Sequence, residues 1–290
     1  LFLHREVDVA FKRWQSCPLR TRISPDGERV GNEAGDELTI ELIDAGHILG
    51  SAGVVIRGGG RTIFYTGDVQ FTDQTIMGAA RFPEFSGEQL DTMIIETTRG
   101  DHPDAPEFTR EKEEQRFAEA LRDAFARGSC VLVPVFALGK SQELLAMLHG
   151  FRQRGLLPRE FPIYIGGLTA KVSEVYDRLT HNVPRQLPGF ELLNTMAPFV
   201  VTGQSAGELP VKPGRVCALS SGMMGRHTIS NIFAQKLISD PRHAVFFIGY
   251  TAPDSPAGIL RASRPGDVIQ LAREFPEQEV KCQIDSFDFT

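Results

Sequence analysis

The second part of the chain alternates between short apolar runs and segments of helical periodicity, and this pattern restricts its fold most strongly. The apolar runs are CVLVPV (130–135), PIYIG (162–166), RVCALS (215–220) and AVFFIG (244–249). Segments with apolar residues at helical spacing lie between them, including 141–151, 168–179 and 228–239. Strands that alternate with helices form parallel sheets that are covered on both faces. The sequence therefore predicts an α/β domain over residues 101–279.

The first helix of this part has recognisable start and stop signals. Thr109 precedes an acidic first turn, and Gly128 stands where the helix would end. Phe117 and Leu121 belong to an apolar stripe four residues apart, which is the spacing of one helix face. These signals predict a helix between Thr109 and Gly128.

The first hundred residues carry strand signals instead. Four short runs are rich in β-branched residues: LTIELID (38–44), GVVIR (53–57), RTIFYTG (61–67) and DTMIIET (91–97). Residues 4–16 have the pattern of a short amphipathic helix, and the polar residues 20–36 are typical of a loop or hairpin. The sequence predicts a β-rich part over 1–100, with 280–290 as a strand that returns to it.

Composition limits the partners of the chain. Acidic residues outnumber basic residues by 37 to 31, which gives a net charge of -6 and argues against a general nucleic-acid coat. A local basic groove remains compatible with this balance.

No apolar run reaches the length of a membrane span, so no membrane association is expected. The four cysteines include no C-x-x-C pair, which predicts free thiols in a reducing compartment and a cytoplasmic location.

Three residues at predicted strand ends can carry metal chemistry. His47 lies in GHILGSAG, Asp68 in YTGD and Glu96 in IIETT. One imidazole and two carboxylates in a glycine-rich setting suit Zn²⁺ or a similar ion. A histidine after a strand also serves as a hydrogen-bonded structural residue, and a strand-end aspartate as a turn residue. On the residues alone, both interpretations stay open.

The series GHILGSAG, YTGD and DTMIIETTRGD resembles three successive motifs of the β-CASP nucleases, which are RNA nucleases of the metallo-β-lactamase fold. Further matches follow in the family's order: PVFALGKSQELL (134–145), LSSGMM (219–224), GYTAPDSPAGIL (249–260) and the final SFDF, which resembles the strand before the family's next histidine motif. The resemblance implies an α/β fold class, a partial metallo-β-lactamase αββα sandwich (1–100) with an inserted β-CASP domain (101–279) and a return strand (280–290).

The resemblance also implies roles for the three strand-end residues. His47 corresponds to a zinc ligand, Asp68 to a catalytic carboxylate that bridges two zinc ions, and Glu96 to a catalytic carboxylate that orients a histidine. The implied activity is zinc-dependent hydrolysis of phosphodiester bonds in single-stranded RNA, in RNA processing or decay. Endonuclease and 5'-3' exonuclease action both stay open.

The sequence departs from the family pattern at the metal site. The family's H-x-H-x-D-H motif supplies most zinc ligands, yet no two of the seven histidines stand in an H-x-H arrangement. A zinc site usually takes three or four protein ligands, and His47 and Asp68 are two candidates. We therefore expect this sequence to be truncated at both ends, to bind metal weakly and to be inactive or impaired by itself.

A second group of residues is predicted to bind substrate. Lys140 stands at a helix start and can contact a phosphate together with helix-start amides. Ser220, Ser221 and Gly222 form a small-residue turn that can present N–H groups to a phosphate. A solvated lysine and simple turn chemistry are the alternatives. Phe136 follows a buried strand and is expected in the core rather than in a stack with a base.

Other functions stay open beside the nuclease. A non-catalytic RNA-binding or scaffold paralogue of the same fold is one alternative, although the retained His47 and Asp68 count against it. A DNA-processing enzyme or a small-molecule metallo-hydrolase is another. The α/β insertion counts against a small-molecule enzyme. The expected partner is single-stranded RNA, and both a homodimer and a subunit of a processing complex are compatible with the sequence.

Overall fold

The computed structural model describes residues 4–31, 35–82, 89–101, 103, 105–183, 185–203 and 205–289. These residues form two compact units. Unit 1 contains the described residues as far as Asp73 and those from Ala79 to Pro103. Unit 2 contains Gln74–Gly78 and the described residues after Pro103. The change of unit after Pro103 lies close to the boundary predicted near residue 100.

Unit 1 is built on a five-stranded sheet of order β1-β2-β3-β4-β5. Its elements are α1 (His4–Phe11), β1 (Arg22–Ile23), β2 (Thr39–Asp44), β3 (Ala52–Gly58), β4 (Arg61–Tyr65) and β5 (Thr92–Ile94). Neighbouring strands are antiparallel except β4 and β5, which are parallel. The four predicted strands are confirmed, and the helix predicted over 4–16 ends at Phe11. A small core of Ile43, Val55 and Phe64 holds the central strands together.

Unit 2 is an α/β unit with a six-stranded parallel sheet of order β13-β10-β6-β9-β7-β8. Its elements are α2 (Arg110–Ala126), β6 (Cys130–Pro134), α3 (Lys140–Gln153), β7 (Ile163–Gly166), α4 (Gly167–Arg178), α5 (Leu192–Met196), β8 (Phe199–Val201), β9 (Arg215–Leu219), α6 (Ile229–Ala234), β10 (Ala244–Phe247), α7 (Pro256–Ala262), β11 (Val268–Ile269), β12 (Gln278–Glu279) and β13 (Gln283–Ser286). The short strands β11 and β12 form a separate antiparallel pair. The predicted parallel sheet is confirmed.

The local sequence signals of unit 2 have clear physical outcomes. Every residue of β6, β9 and β10 is buried, because helices and loops cover both faces of the sheet. The Thr109 side chain accepts a hydrogen bond of 3.2 Å from the Lys112 N–H and so caps α2. Phe117 and Leu121 of that helix are fully buried. The predicted helix between Thr109 and Gly128 is confirmed.

The end of the described chain differs from the prediction. Residues 280–290 were expected to return to the first part, but β13 pairs in parallel with β10 at the edge of the second sheet. The Phe287 N–H extends this pairing by donating to the Phe247 carbonyl at 2.7 Å. The Phe287 and Phe289 rings pack against Phe117, with centroids 4.8 and 5.8 Å away. These contacts bury two aromatic rings and account for the position of the strand.

The segment Gln74–Gly78 belongs to unit 2 because a buried carboxylate on α3 binds it. The side chain of Glu143 accepts hydrogen bonds from the backbone N–H groups of Thr75 (2.6 Å) and Ile76 (3.1 Å). Arg110 forms an ion pair with the same carboxylate and donates to the Thr75 hydroxyl at 3.1 Å. Ile76 is fully buried. The contacts with Glu143 and Arg110 and the burial of Ile76 therefore both hold this short segment against unit 2.

Within the described ranges, no helix is both long and apolar enough to span a lipid bilayer.

Candidate functional site

The three predicted metal-site residues follow strands that end at the same edge of the unit 1 sheet. Strands β2 and β4 run in the same direction because each is antiparallel to β3. Strand β5 is parallel to β4, with Tyr65 opposite Ile94. His47 follows β2, Asp68 follows β4 and Glu96 follows β5. The topology thus brings all three loops to one edge, as expected for residues that share a site.

The loop that carries His47 is closed by one serine side chain. The Ser51 hydroxyl accepts hydrogen bonds from the backbone N–H groups of His47 (3.1 Å) and Ile48 (3.2 Å). The backbone adds a further bond of 3.2 Å from the Ala45 N–H to the Ser51 carbonyl. These bonds satisfy the loop's N–H groups internally and leave the half-buried His47 imidazole at the sheet edge.

The loop that carries Asp68 needs a glycine before it. Gly67 has a φ of +60°, and a Cβ atom there would lie 3.0 Å from the Ala52 carbonyl oxygen. The chain turns at this glycine and exposes the Asp68 side chain. The Gln70 N–H then donates to the Ala45 carbonyl at 2.9 Å, which joins this loop to the His47 loop.

Glu96 connects the third loop to the other two. Its carboxylate accepts a hydrogen bond of 2.8 Å from the Thr98 N–H and lies 3.5 Å from the Val69 N–H, next to Asp68. Burial raises the pKa of Glu96, but the contacts with Thr98 and Val69 and the nearby charge of His47 together lower the pKa below its ordinary value. The carboxylate is therefore ionised at neutral pH and lies close to His47 and to the Val69 N–H.

These residues do not complete a zinc site by themselves. Among the described residues, no group of three or more histidine, cysteine, aspartate or glutamate side chains is placed to hold a metal ion. Zinc takes three or four protein ligands. His47 and Asp68 supply the right donor chemistry but too few donors, so a bound metal would need further ligands from outside the described residues.

The predicted substrate-binding residues lie in unit 2, at the carboxyl edge of its parallel sheet. Strands β6 and β9 are neighbours, and Pro134 pairs with Leu219 at their ends. Lys140 is the first residue of α3 beyond β6, and residues 220–222 follow β9 directly. Ligands of open α/β sheets bind at this edge. The structure brings Lys140 and Gly222 into the lining of one surface pocket.

Ser220 and Ser221 have structural partners in α6. The Ser230 N–H donates to the Ser220 carbonyl at 3.0 Å, and the Ser230 hydroxyl donates to the Ser221 carbonyl at 2.7 Å. The Met224 N–H also donates to the Ser221 carbonyl at 3.1 Å. The carbonyl groups of this turn therefore face the helix, which fixes the turn that leads to Gly222.

The Lys140 ammonium already has a protein partner. It donates a hydrogen bond of 2.6 Å to the carbonyl oxygen of Phe289. Burial, and to a smaller extent the charge of Arg110, lower the pKa of Lys140 to about 8, against the opposing effect of Glu143 and Asp288. An ammonium group has three N–H donors, so this bond leaves capacity for a second partner.

The free energy of unfolding of unit 2 is expected to rise with pH between about 8 and 10.5 because of Lys140. In this range the unfolded chain still holds a proton that the folded chain has released, so the unfolded state binds more protons. Urea unfolding at both ends of the range should show the rise, and the rise should be smaller in Lys140→Met. Equal pH dependence of the two proteins would contradict it.

One expectation about the pocket was wrong. Phe136 was expected in the core, yet its side chain is 39% exposed, and Tyr250 in the same pocket lining is 49% exposed. Strand β6 ends at Pro134, and the buried Val135 is followed by a ring that turns outward. In the sequence, Phe136 continues the apolar run of β6, so the change from buried to exposed side chains is not visible there. The Gly-Tyr pair at 249–250 was the sequence signal available for Tyr250.

Comparison with known proteins assigns part of unit 2 to a described family. The model of the β-CASP domain matches residues 141–260, which include the Ser220–Gly222 turn and Tyr250.

Similarity to named proteins covers more of the chain than the β-CASP domain model does. Ribonuclease TTHA0252 of Thermus thermophilus is 32% identical over 252 residues, covering 82% of this chain and 54% of the relative. The transcription termination factor FttA of Methanothermobacter thermautotrophicus is 27% identical, covering 86% of this chain and 41% of the relative. The probable RNase MJ4 of Methanocaldococcus jannaschii is 27% identical and is covered to 49%. The chain thus spans about half the length of these relatives.

Proposed function

Because the chain belongs to the β-CASP family, we propose that the protein hydrolyses phosphodiester bonds of single-stranded RNA in a metal-dependent reaction. The observation that carries this proposal is the convergence of the His47, Asp68 and Glu96 loops at one sheet edge. The ribonuclease names of two relatives support RNA as the substrate. We also propose that unit 1 belongs to a metallo-β-lactamase sandwich.

His47 and Asp68 are the proposed ligands of zinc. An imidazole nitrogen and a carboxylate oxygen are donors that zinc prefers. Glu96 is ionised and close to His47, so its charge favours a strongly basic imidazole. Through Thr98 and Val69 it also fixes the backbone beside Asp68. In this proposal Glu96 orients the site.

Unit 2 is proposed to bind the RNA backbone. Lys140 stands at the amino end of α3, where the dipole of the helix favours a negatively charged phosphate. The turn Ser220–Gly222 lies on the neighbouring strand end, where its N–H groups suit a second phosphate contact. Lys140 adds a cation in a chain that is acidic as a whole. The proposal thus has a local phosphate site in place of a general basic surface.

We propose a cytoplasmic location on separate grounds. All four cysteines are free thiols, and three of them (Cys130, Cys217 and Cys282) are buried. Free buried thiols are usual in a reducing compartment.

Cleavage of labelled oligonucleotides by the full-length protein tests the function. Single-stranded RNA is expected to be cut, duplex RNA and single-stranded DNA of the same sequence much less, and a chelator should stop the reaction until zinc is restored. Binding without cleavage in the presence of zinc would favour the scaffold alternative. Preferential cleavage of DNA would favour the DNA-processing alternative.

A further inference from the structure

Two outward-facing aromatic rings lie at neighbouring strand ends of unit 2. Phe136 follows β6 and Tyr250 follows β10, and these strands are adjacent and parallel in the sheet. Both residues line one surface pocket together with Lys140 and Gly222. Phe136 and Tyr250 are exposed, whereas Val135, one residue before Phe136, and Ile248, two residues before Tyr250, are almost fully buried. The rings therefore project from a buried base.

Gly222 determines where the Phe136 ring can lie. A Cβ atom on Gly222 would sit 3.0 Å from a carbon of that ring and 3.2 Å from the Phe136 backbone nitrogen. Any side chain at this position would push the ring away. The close approach of the glycine backbone supports the ring from one side and leaves the other parts of it to solvent.

Exposed aromatic rings that line a pocket can pack against a ligand with an apolar face. Within the described part of the chain, neither Phe136 nor Tyr250 stacks on another aromatic ring of the protein. Phe199, which is 57% exposed, differs because its ring is stacked on Tyr164 at 5.1 Å. Aromatic rings beside a cation are the usual platform for unpaired bases, since every base has a π-face. Lys140 supplies the cation in this pocket.

We infer that Phe136 and Tyr250 form a stacking platform for the unpaired bases of single-stranded RNA. The inference rests on the proposed function and adds to it the part of the site that holds bases rather than phosphates. Stacking carries little base discrimination. The platform therefore selects for unpaired nucleotides and tolerates different sequences.

Binding to two matched single-stranded probes, one with bases and one without, tests the platform. The unaltered protein and its variants are titrated, in the presence of a chelator, with a labelled single-stranded RNA and with an oligomer of the same length whose residues are abasic. Phe136→Leu and Tyr250→Leu are each expected to raise Kd for the base-containing RNA about tenfold. Kd for the abasic oligomer should stay unchanged, because no base is present to stack.

Conservative variants and a matched control complete the test. Phe136→Tyr and Tyr250→Phe retain a ring and should bind like the unaltered protein. Phe199→Leu removes an exposed ring whose face is already covered, and should change neither Kd. Equal weakening of binding to both probes by Phe136→Leu and Tyr250→Leu, or no weakening for either probe, would overturn the platform. Neither result would contradict the proposed function, which is tested by RNA cleavage with the unaltered protein. No RNA binding by the unaltered protein would overturn the proposed function as well.

Discussion

Replacing Asp68 by alanine in the full-length protein is expected to lower the rate of RNA cleavage by about a thousandfold or more. Asp68 is exposed at the sheet edge and is the proposed carboxylate that bridges two metal ions. Its loss removes one ligand and the negative charge that holds two cations close together. The backbone around it keeps its contacts, since the Gln70 N–H and Glu96 contacts do not use the Asp68 side chain. The fold should therefore persist.

Two measurements separate this result from unfolding. Zinc content should fall in Asp68→Ala, while the circular dichroism spectrum and the midpoint of thermal unfolding stay near those of the unaltered protein. Asp91→Ala is the matched control, because Asp91 stands at the other end of β5 and its carboxylate accepts the Thr62 N–H at 2.7 Å. Asp91→Ala should lower the midpoint of thermal unfolding but leave the zinc content unchanged. Full cleavage by Asp68→Ala would refute the metal-ligand assignment.

Glu143→Ala is expected to lower the free energy of unfolding of unit 2 by about 2–5 kcal/mol. The Glu143 carboxylate is buried, pairs with Arg110 and accepts the N–H groups of Thr75 and Ile76. Its removal leaves two backbone donors without their acceptors and takes one of two carboxylate partners from the half-buried Arg110, which keeps its ion pair with Glu114.

Denaturant unfolding and amide exchange measure this effect. The N–H groups of Thr75 and Ile76 should exchange faster in Glu143→Ala, and Glu143→Gln should show an intermediate loss, because one amide oxygen can still accept. Glu119→Ala is the control: Glu119 is exposed on α2 and accepts from Gln115 at 2.8 Å. Its effect should stay within about 0.5 kcal/mol. Similar losses in Glu119→Ala and Glu143→Ala would show that the buried carboxylate has no special role.

The periodic segments of the sequence predicted their structure well because burial on both faces leaves a direct pattern in the letters. The runs at 130–135 and 215–220 became the fully buried strands β6 and β9. The helix predicted over 228–239 ends at Ala234, where backbone bonds such as Leu237 N–H to the Ala234 carbonyl (2.8 Å) tighten the chain into turns. Periodicity cannot separate such turns from a helix of similar pitch.

The features that the sequence did not predict depend on contacts between distant residues. Glu143 lies on a helix face that the pattern assigns only as polar, and its partners at 75 and 76 are 68 and 67 residues away. The outward turn of Phe136 depends on Gly222, which lies on another strand end. Strand-end positions of His47, Asp68 and Glu96 were predictable, but the bonds through Ser51, Thr98 and Val69 that set their geometry were not.

The first turn of α3 has a consequence for the order in which unit 2 folds. Glu143 binds a segment that leaves the ribosome early, whereas Lys140 binds Phe289, 149 residues further along the chain. Strand β13 likewise joins the sheet from the far end of the sequence. Contacts of such separation close late, because a long loop must be ordered first. During synthesis, the bonds between Glu143 and the 75–76 segment can therefore form before the Lys140–Phe289 bond, and the Lys140 ammonium stays hydrated until β13 joins the sheet.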